Sequence, residues 1–332
     1  MRTHVLAILI LATAASRASA QSPPVWRDSS SHTERFVEVE PDVRLEVLDW
    51  GGRGRPVVLL AGGGNTAHVF DDFAPKLTAR NHVYGVTRRG FGRSDFFGTS
   101  TPGERLRDDV LAVIAALKLD RPVLVGHSFG GFELSAVAST SPDRIAGLVY
   151  LESAYPYAIS LPGGASIQDV FNNQPPPPTP KPSDLESFDS LRRWDARVFG
   201  FRMPESEFHQ TWEADAMGRP QRPRDSSRAQ VQLLMPVVMN GTRYSRIPSP
   251  ALIVFASPHT VDGWVSDAPP ERRGALEAYF NSANAATEKQ AKAIEAALPD
   301  VRVVRLKSSH HVFISNESET LREMRAFLDR LK

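Results

Sequence analysis

The sequence predicts an α/β fold in which a mostly parallel central sheet is flanked by helices. Short, continuous apolar runs at residues 57–61, 123–125 and 145–151 are typical of strands that are buried on both faces. Residues 105–119 show clear helical periodicity and lie between the first run and the second. Strands that alternate with helices along the chain are the signature of a doubly wound parallel sheet.

The composition excludes several classes of function. The chain has 332 residues, of which 41% are hydrophobic, so it is long enough to bury one large core. Its formal net charge is +1 and no basic stripe is present, so we expect no nucleic-acid partner. The chain contains no cysteine, which excludes disulfides, thiolate catalysis and cysteine-ligated zinc.

Residues 1–20 have the pattern of a cleavable signal peptide. Arg2 supplies the positive charge of the N-terminal region, and residues 5–15 form a short apolar run. Ala18-Ser19-Ala20 matches a signal-peptidase cleavage site. We therefore expect cleavage before Gln21, a periplasmic or secreted protein, and no stable membrane anchor after cleavage. The alternative is an anchor that is retained, for which the apolar run is short.

The first part of the predicted core, residues 21–155, opens with an antiparallel hairpin. Residues 36–40 and 43–50 alternate between apolar and polar positions, and Pro41-Asp42 lies between them. We then expect a strand at 57–61, a helix at 69–79 and a strand at 84–87. An amphipathic helix at 105–119 follows, and its inward face carries Leu106, Val110, Val113, Ile114 and Leu117.

Residues 156–248 interrupt this pattern and predict an inserted helical lid. A run of prolines at 175–178 excludes sheet there. Helical pieces are expected at 185–201, 205–217 and 226–238, and we find no strand signal among them. The aromatic content, which includes Trp194, Phe208 and Trp212, argues against a disordered insertion.

The strand–helix alternation resumes in the second part of the core, residues 249–332. The pattern predicts strands at 251–255 and 301–306, and helices at 284–297 and 317–331. The loop at 307–312 connects the last strand to the last helix. It contains two adjacent histidines, His310 and His311.

The sequence Gly126-His127-Ser128-Phe129-Gly130 follows a predicted strand directly and precedes a predicted helix. This is the G-x-S-x-G pattern, in which a serine lies on a sharp strand-to-helix turn and glycines two positions away avoid a steric collision. Such a pattern also occurs by chance in glycine-rich turns. The helix beyond the serine points its N-terminal N–H groups at the site and favours negative charge there.

Gly62-Gly63-Gly64-Asn65 follows the strand at 57–61. One interpretation is a flexible turn. The other is an oxyanion loop, in which backbone N–H groups must approach a substrate oxygen without side chains in the way. Its position directly after the strand that follows the hairpin favours the oxyanion loop.

Four motifs in order make the sequence resemble the α/β-hydrolase superfamily, in its lid-bearing branch. They are AGGG, RRGFGRS, GHSFGG and SSHHVFIS, each next to a predicted strand. The resemblance extends from Phe36 to Leu331. It implies an α/β-hydrolase fold with about eight strands, a mostly parallel sheet and a helical lid over the active edge.

The resemblance implies that Ser128 is the nucleophile and that a histidine in the loop at 307–312 is its base. Related sequences read Ser-His-aromatic-x-Phe in this loop, which aligns the base with His310 and gives His311 a packing role. A zinc site on the two histidines is the competing interpretation. It is weak, because adjacent side chains diverge and no third ligand is evident.

The acid of the triad has two candidates. After the strand at 251–255 the family's usual carboxylate is absent, and the chain reads Ala256-Ser257-Pro258-His259, with Asp262 slightly further on. The family's other position is the end of the preceding strand, where this chain has Glu152. We favour Glu152 and keep Asp262 as the alternative.

The family also implies an oxyanion hole made by the backbone N–H groups of Phe129 and Gly63. Arg89 is expected to be a buried structural arginine. His68 and His259 lie near the predicted active edge and could line the pocket, but we favour a surface role for each. Glu205, Glu207, Glu213 and Asp215 of the predicted lid could hold a substrate amine, but we favour solvated helix faces as their explanation.

The sequence therefore predicts an exported serine hydrolase that cleaves a carboxylic ester through an acyl-enzyme. The expected partner is a small molecule that carries an acyl group, and we expect no cofactor and no metal. An aminopeptidase, an amidase or another serine-dependent reaction of the same family is the first alternative. A non-catalytic binding protein on the same fold is the second.

Overall fold

The computed structural model describes residues 26–96, 102–171, 178–226, 229–260, 263–266 and 268–331. The expected signal peptide, most of the proline run and Asp262 lie outside these residues. The described chain is organised around one sheet with the strand order β1-β2-β4-β3-β5-β6-β9-β10. Its strands are β1 Thr33–Glu40, β2 Val43–Gly51, β3 Arg55–Leu60, β4 Asn81–Val86, β5 Val123–His127, β6 Gly147–Leu151, β9 Ala251–His259 and β10 Arg302–Ser308.

The sheet is antiparallel only at one edge. β1 pairs with β2 and β2 with β4 in antiparallel register, whereas the other five pairings are parallel. Parallel strands bring their carboxyl ends to one edge of the sheet, where the loops after β3, β5, β6 and β10 meet. The mostly parallel sheet of about eight strands that the sequence predicts is therefore confirmed.

Helices cover both faces of this sheet. Those that follow the strands of the core are α1 Pro102–Ala116, α2 Gly130–Thr140, α8 Pro270–Ala297 and α10 Glu317–Leu328. The remaining helices are α3 Ile167–Phe171, α4 Phe188–Phe199, α5 Glu205–Thr211, α6 Met235–Asn240, α7 Gly263–Ser266 and α9 Val312–Ser315. Short 3₁₀ turns occur at Ala67–Phe70, Ala74–Leu77, Pro142–Arg144 and Pro182–Leu185, and a π-helical turn spans Gln230–Leu234.

The side chains of the central strands alternate between two cores. In β3, Val58 and Leu60 pack with α1 and α2 on one face, whereas Val57 and Leu59 pack with α10 and the first 3₁₀ turns on the other. All four are at most 2% exposed. Because both faces are covered, the strands read as continuous apolar runs, as the sequence analysis assumed.

Three details of the predicted elements are wrong. The helix expected at 69–79 is two 3₁₀ turns, because Pro75 lacks an N–H group and cannot lie inside an α-helix. A two-stranded sheet, β7 Trp212–Ala214 with β8 Pro220–Pro223, occurs where no strand was expected. Its prolines are tolerated because a two-stranded ribbon has free edges.

The third difference concerns α8, which begins at Pro270, well before the expected start at residue 284. Pro270 occupies the first helical position, where its missing N–H is harmless. The first half of this helix has little apolar periodicity, so the sequence pattern did not mark it. The predicted lid boundaries at residues 156 and 248 stay a prediction.

Candidate active site

Ser128 lies on the predicted turn between β5 and α2, with the unusual φ of 48°. Neighbouring backbone explains the glycines around it. A Cβ at Gly126 would lie 2.7 Å from the carbonyl carbon of Gly130, and one at Gly131 would lie 2.1 Å from the carbonyl oxygen of Ser153. A side chain at either position would therefore displace the turn that presents the serine.

Glu152 lies directly after β6, where it also adopts a positive φ of 51° and is fully buried. Its Oε2 atom lies 3.2 Å from Nδ1 of His310. The N–H of Ala256 donates to Oε1 at 2.6 Å, and the hydroxyl of Tyr155 donates to Oε2 at 2.8 Å. These contacts fix the carboxylate at the active edge of the sheet and leave Nε2 of His310 for proton transfer.

Glu152 has a second imidazole partner that the sequence analysis missed. Nε2 of His259, at the end of β9, lies 3.2 Å from the same Oε2 atom. Burial would raise the pKa of Glu152, but its interactions with His259 and His310 lower it to about 2. The expectation of a surface role for His259 is wrong, because Ser257-Pro258 extends β9 far enough to turn this side chain into the site.

The hydroxyl of Ser128 lies close to the phenol of Tyr157, where it opposes the rise that burial gives to the pKa of Tyr157. Ser128 and His310 line the same cavity, although no hydrogen bond joins their side chains within the described part of the chain. Catalytic hydrogen bonds of this kind are often formed only when substrate is bound.

The glycine loop after β3 lies against the turn that carries Ser128. A Cβ at Gly62 would lie 3.2 Å from Cβ of Ser128, and one at Gly63 would lie 3.9 Å from Cβ of Phe129. Among the described residues, no acceptor is found for the backbone N–H of Gly63 or of Phe129. Both groups are therefore free to donate to an oxygen of a substrate.

Two buried charged pairs hold this region in place. Arg88 donates to both carboxylate oxygens of Glu133, at 2.8 and 2.7 Å, and to the carbonyl oxygens of Ala61 and Gly62. Its guanidinium also lies over the ring of Phe129. The neighbouring Arg89 is fully buried between Asp109 and Glu40, which agrees with its expected structural role.

Glu207 of α5 reaches the same loop from the predicted lid. It is buried and accepts hydrogen bonds from the backbone N–H of Thr66 at 3.1 Å, from the Thr66 hydroxyl at 2.5 Å and from the side-chain amide of Asn65 at 2.9 Å. Burial raises the pKa of Glu207 to about 6, although these hydrogen bonds oppose the rise. Sequence reasoning missed this contact, because its partners are separated by about 140 positions.

His311 packs against neighbouring rings, as expected. Burial lowers its pKa to about 3, and its ring contacts those of His127, Phe201 and Phe313. The rings of His310 and His311 are perpendicular, with centroids 5.7 Å apart. Among the described residues, no carboxylate or histidine forms a three-ligand cluster with this pair.

A cavity of about 410 Å³ opens onto Ser128 and His310. Its walls are mainly aromatic, and no lysine, arginine, aspartate or glutamate is found among its described lining residues. The aromatic side chains are Tyr155, Tyr157, Phe199, Phe201, Trp264, Tyr279 and Phe280. Part of this wall comes from α7 and α8, which the sequence analysis placed in the core and did not connect with the pocket.

The position of Asp262, the alternative acid, lies outside the described residues.

The sequence profile of the alpha/beta hydrolase family matches residues 57–323, which include Ser128, Glu152 and His310. The chain belongs to the alpha/beta hydrolase family. This membership and the sheet confirm the resemblance drawn from the four motifs.

Relatives within the hydrolase family are moderately similar in sequence. The chain is 31% identical over 140 residues to the AB hydrolase superfamily protein YisY of Bacillus subtilis, a match that covers 41% of this chain and 52% of that protein. It is 36% identical over 101 residues to the carbendazim hydrolyzing esterase of a Nocardioides species, with 30% and 42% covered. These matches span only about half the length of each relative.

Solved structures show the same fold. The E-2-(acetamidomethylene)succinate hydrolase has a TM-score of 0.58 at 19% identity, over 90% of this chain and 99% of that one. The carboxylesterase CesB of Bacillus subtilis has a TM-score of 0.56 at 12% identity, over 90% and 91%. In the described part of the chain, no helix is both long and apolar enough to span a bilayer.

Proposed function

We propose that this member of the hydrolase family is an exported serine esterase with the triad Ser128, His310 and Glu152. The observation that supports this proposal best is the buried carboxylate of Glu152, held 3.2 Å from Nδ1 of a histidine that faces the nucleophile's cavity. A carboxylate in this position orients the imidazole and stabilises its protonated form.

In the proposed reaction, Oγ of Ser128 attacks the acyl carbon of the ester. Its proton passes to Nε2 of His310. The tetrahedral intermediate then collapses, the carbon–oxygen bond to the alcohol breaks, and the alcohol oxygen takes the proton from His310. Water attacks the acyl-enzyme in the same way, and the returning proton restores the Ser128 hydroxyl.

The charge that develops on the acyl oxygen would be stabilised by the N–H groups of Phe129 and Gly63. Loss of one such donor typically costs about 3 kcal/mol of activation free energy. The Arg88–Glu133 pair holds the carbonyl oxygens of Ala61 and Gly62, and so keeps the next N–H aimed at the site. A glycine loop that already presents N–H groups to an oxyanion supports an enzyme rather than a protein that only binds its ligand.

The cavity favours a neutral ester with an aromatic or branched apolar group. Its volume of about 410 Å³ suits a small to medium-sized molecule, and its lining lacks a cationic side chain that would pair with a substrate carboxylate. The likeness to an esterase named for carbendazim and to a carboxylesterase is consistent with ester cleavage.

The structure offers no support for a substrate amine bound by the acidic lid residues. Glu207 is occupied by Thr66 and Asn65, Glu213 pairs with Arg222, and Asp215 pairs with Arg219. None of these carboxylates, nor that of Glu205, is among the described residues that line the cavity. An aminopeptidase would need another group to hold the α-amine.

Covalent labelling with a fluorophosphonate probe tests the nucleophile. We expect labelling of the wild type and of Ser141→Ala, which changes a serine outside the cavity, and no labelling of folded Ser128→Ala. Unlabelled but folded wild type would contradict the esterase and leave a binding protein on the same fold. A panel of p-nitrophenyl esters, compared with aminoacyl p-nitroanilides, then separates esterase from peptidase.

Export is tested separately by intact mass after expression of the full sequence. We expect a mature protein that begins at Gln21 and is recovered from the periplasm or the medium. An exported protein that still begins at Met1 would contradict cleavage without affecting the assignment of the triad.

A further inference from the structure

Three neighbouring strands bring one carboxylate and two histidines together at the carboxyl edge of the sheet. Glu152 follows β6, His259 ends β9 and His310 follows β10, and β9 lies between the other two strands. A side chain at the end of β9 therefore lies, in the order of the sheet, between the acid of the proposed triad and its base. The chain has a histidine there, and its side chain is 13% exposed and lines the cavity.

The backbone around His259 is fixed on two sides. Its N–H donates to the side-chain oxygen of Asn284, in α8, at 2.7 Å, and the N–H of Thr260 donates to the carbonyl oxygen of Ser308 at 2.7 Å. His259 is also the register partner of Ser308, which lies two residues before His310. The position of this imidazole beside the carboxylate is therefore set by the pairing of β9 with β10.

The carboxylate of Glu152 is filled with donors. The N–H of Ala256 donates to Oε1, whereas Oε2 faces the hydroxyl of Tyr155 at 2.8 Å, Nε2 of His259 at 3.2 Å and Nδ1 of His310 at 3.2 Å. A carboxylate offers about four lone-pair sites, and four groups occupy them here. Because the two imidazoles share one oxygen, the loss of either changes how the carboxylate holds the other.

A fully buried carboxylate also needs a positively charged partner. Within the described chain, no lysine or arginine lies within salt-bridge distance of Glu152, which leaves the two imidazoles. His310 must be neutral in the resting enzyme, because a general base needs a nitrogen that can accept a proton. The charge then falls to His259. Burial raises the pKa of Glu152, and the charge of His259 is the largest of the effects that oppose this rise.

A buried, charged histidine occurs elsewhere in the same chain. The side chain of His68 is fully buried, and its ring nitrogens lie 3.4, 3.3 and 3.7 Å from carboxylate oxygens of Asp28, Asp71 and Glu46. Burial lowers the pKa of His68, but these carboxylates raise it to about 11. The expectation of a surface role for His68 is therefore wrong. This cluster is not part of the described lining of the cavity, whereas His259 is.

Other titratable side chains face the acid or the base of the proposed triad. Burial raises the pKa of Tyr155 and of Tyr157, next to the carboxylate, so both phenols stay neutral. Burial lowers the pKa of His127 and of His311, whose rings contact that of the base, so both imidazoles stay neutral as well. His259 is therefore the neighbour whose charge can set the pH range of the reaction.

We propose, on the basis of the function proposed above, that His259 is a positioning residue whose protonated ring holds the carboxylate of Glu152 in place and keeps His310 neutral at lower pH. The first effect is geometric, since the ring contacts the oxygen that also orients the base. The second is electrostatic, because a positive charge beside Glu152 offsets part of its attraction for a proton on His310. The enzyme would then keep an active base under mildly acidic conditions.

Hydrolysis of a p-nitrophenyl ester across a range of pH tests both effects. His259→Phe keeps an aromatic wall but removes the donor and the charge, so kcat is expected to fall roughly 10- to 100-fold with little change in KM. His259→Gln keeps an N–H donor and removes the charge, so part of kcat should return. The midpoint of the acidic limb of kcat/KM should then move upwards by about one pH unit.

His82→Gln is the matched control, because His82 faces a single carboxylate, Asp49, at 2.8 Å and does not line the cavity. We expect wild-type kcat and a wild-type pH profile for this variant. Wild-type kcat in folded His259→Phe, together with a wild-type profile in His259→Gln, would overturn the proposal. A change confined to KM would also overturn it, since His259 would then contact the substrate instead of positioning the acid.

Nuclear magnetic resonance of ¹⁵N-labelled histidine rings tests the charge without turnover and without a variant at residue 259. We expect the ring of His259 to be protonated at pH 7.5 in the wild type, and to lose this proton at lower pH in Glu152→Gln. A neutral His259 ring in the wild type at pH 7.5 would overturn the proposal. Failure of the proposed function is a separate result, in which the fluorophosphonate probe does not label the wild type.

Discussion

Replacement of Glu152 by glutamine is the sharpest test of the proposed triad. Glutamine keeps the size of the side chain and can still accept the hydrogen bond from the N–H of Ala256. It removes the negative charge that faces His310 and His259. The perturbation is therefore electrostatic, and the backbone around residue 152 has no steric reason to move.

The structure gives the size of the effect. The pKa of Glu152 falls from 4.5 to about 2 despite complete burial. A difference of this size corresponds to about 3 kcal/mol of preference for the carboxylate over the carboxylic acid. The same interactions stabilise an imidazolium at His310 when it accepts the proton of Ser128, so we expect kcat to fall roughly 10²- to 10⁴-fold.

The assay is hydrolysis of a short-chain p-nitrophenyl ester, with active sites counted by the fluorophosphonate probe. Asp262→Asn is the control, because it removes the other candidate acid. We expect that variant to keep wild-type kcat. Equal activity in Glu152→Gln and wild type, together with loss in Asp262→Asn, would refute the reasoning and move the acid to residue 262.

Other predictions concern stability and can be checked by urea unfolding. Gly131→Ala should lose several kcal/mol or fail to fold, because its Cβ would lie 2.1 Å from the carbonyl oxygen of Ser153, whereas Gly274→Ala meets nothing within 4 Å and should gain roughly 0.5 to 1 kcal/mol. Burial raises the pKa of Asp195 to about 7, so the folded state binds more protons than the unfolded state between pH 4 and 7. Wild-type stability should then fall as the pH rises through that range, and Asp195→Asn should be less sensitive to pH and more stable at pH 8. The pH dependence of stability that Glu152 contributes has the opposite sign. Its lowered pKa contributes stability above pH 4.5 that is lost as the pH falls towards 2, and Glu152→Gln should reduce this acid sensitivity.

Local patterns were enough to predict the parallel part of the fold and the turn that carries Ser128. The apolar run at 123–125 is typical of a strand covered on both faces, and the glycines at 126 and 130 are typical of a tight turn. The choice of His310 over His311 as the expected base rested only on the resemblance to the family. The ring of His311 contacts that of Phe201, and no local pattern in the sequence records this contact between residues about 110 positions apart.

The features that sequence reasoning missed depend on long-range contacts. His259 reaches Glu152 because β6 and β9 are neighbours in the sheet, a pairing between segments about 100 residues apart. Tyr157 lies just beyond the predicted core, in the segment interpreted as a lid, and its closeness to Ser128 depends on the path of the chain after β6. Neither position has a periodicity or a motif that marks it.

The oxyanion loop shows why these long-range contacts matter for function. Three glycines in a row allow close approach to a substrate, but they also give the loop more freedom than any other sequence would. Arg88 and Glu133 restrain it from the core, and Glu207 restrains Asn65 and Thr66 from α5. Donors stabilise an oxyanion well only when they are already in place. The segment predicted to be a lid therefore has a second role, since Glu207 of α5 helps to hold the loop on which the proposed reaction depends.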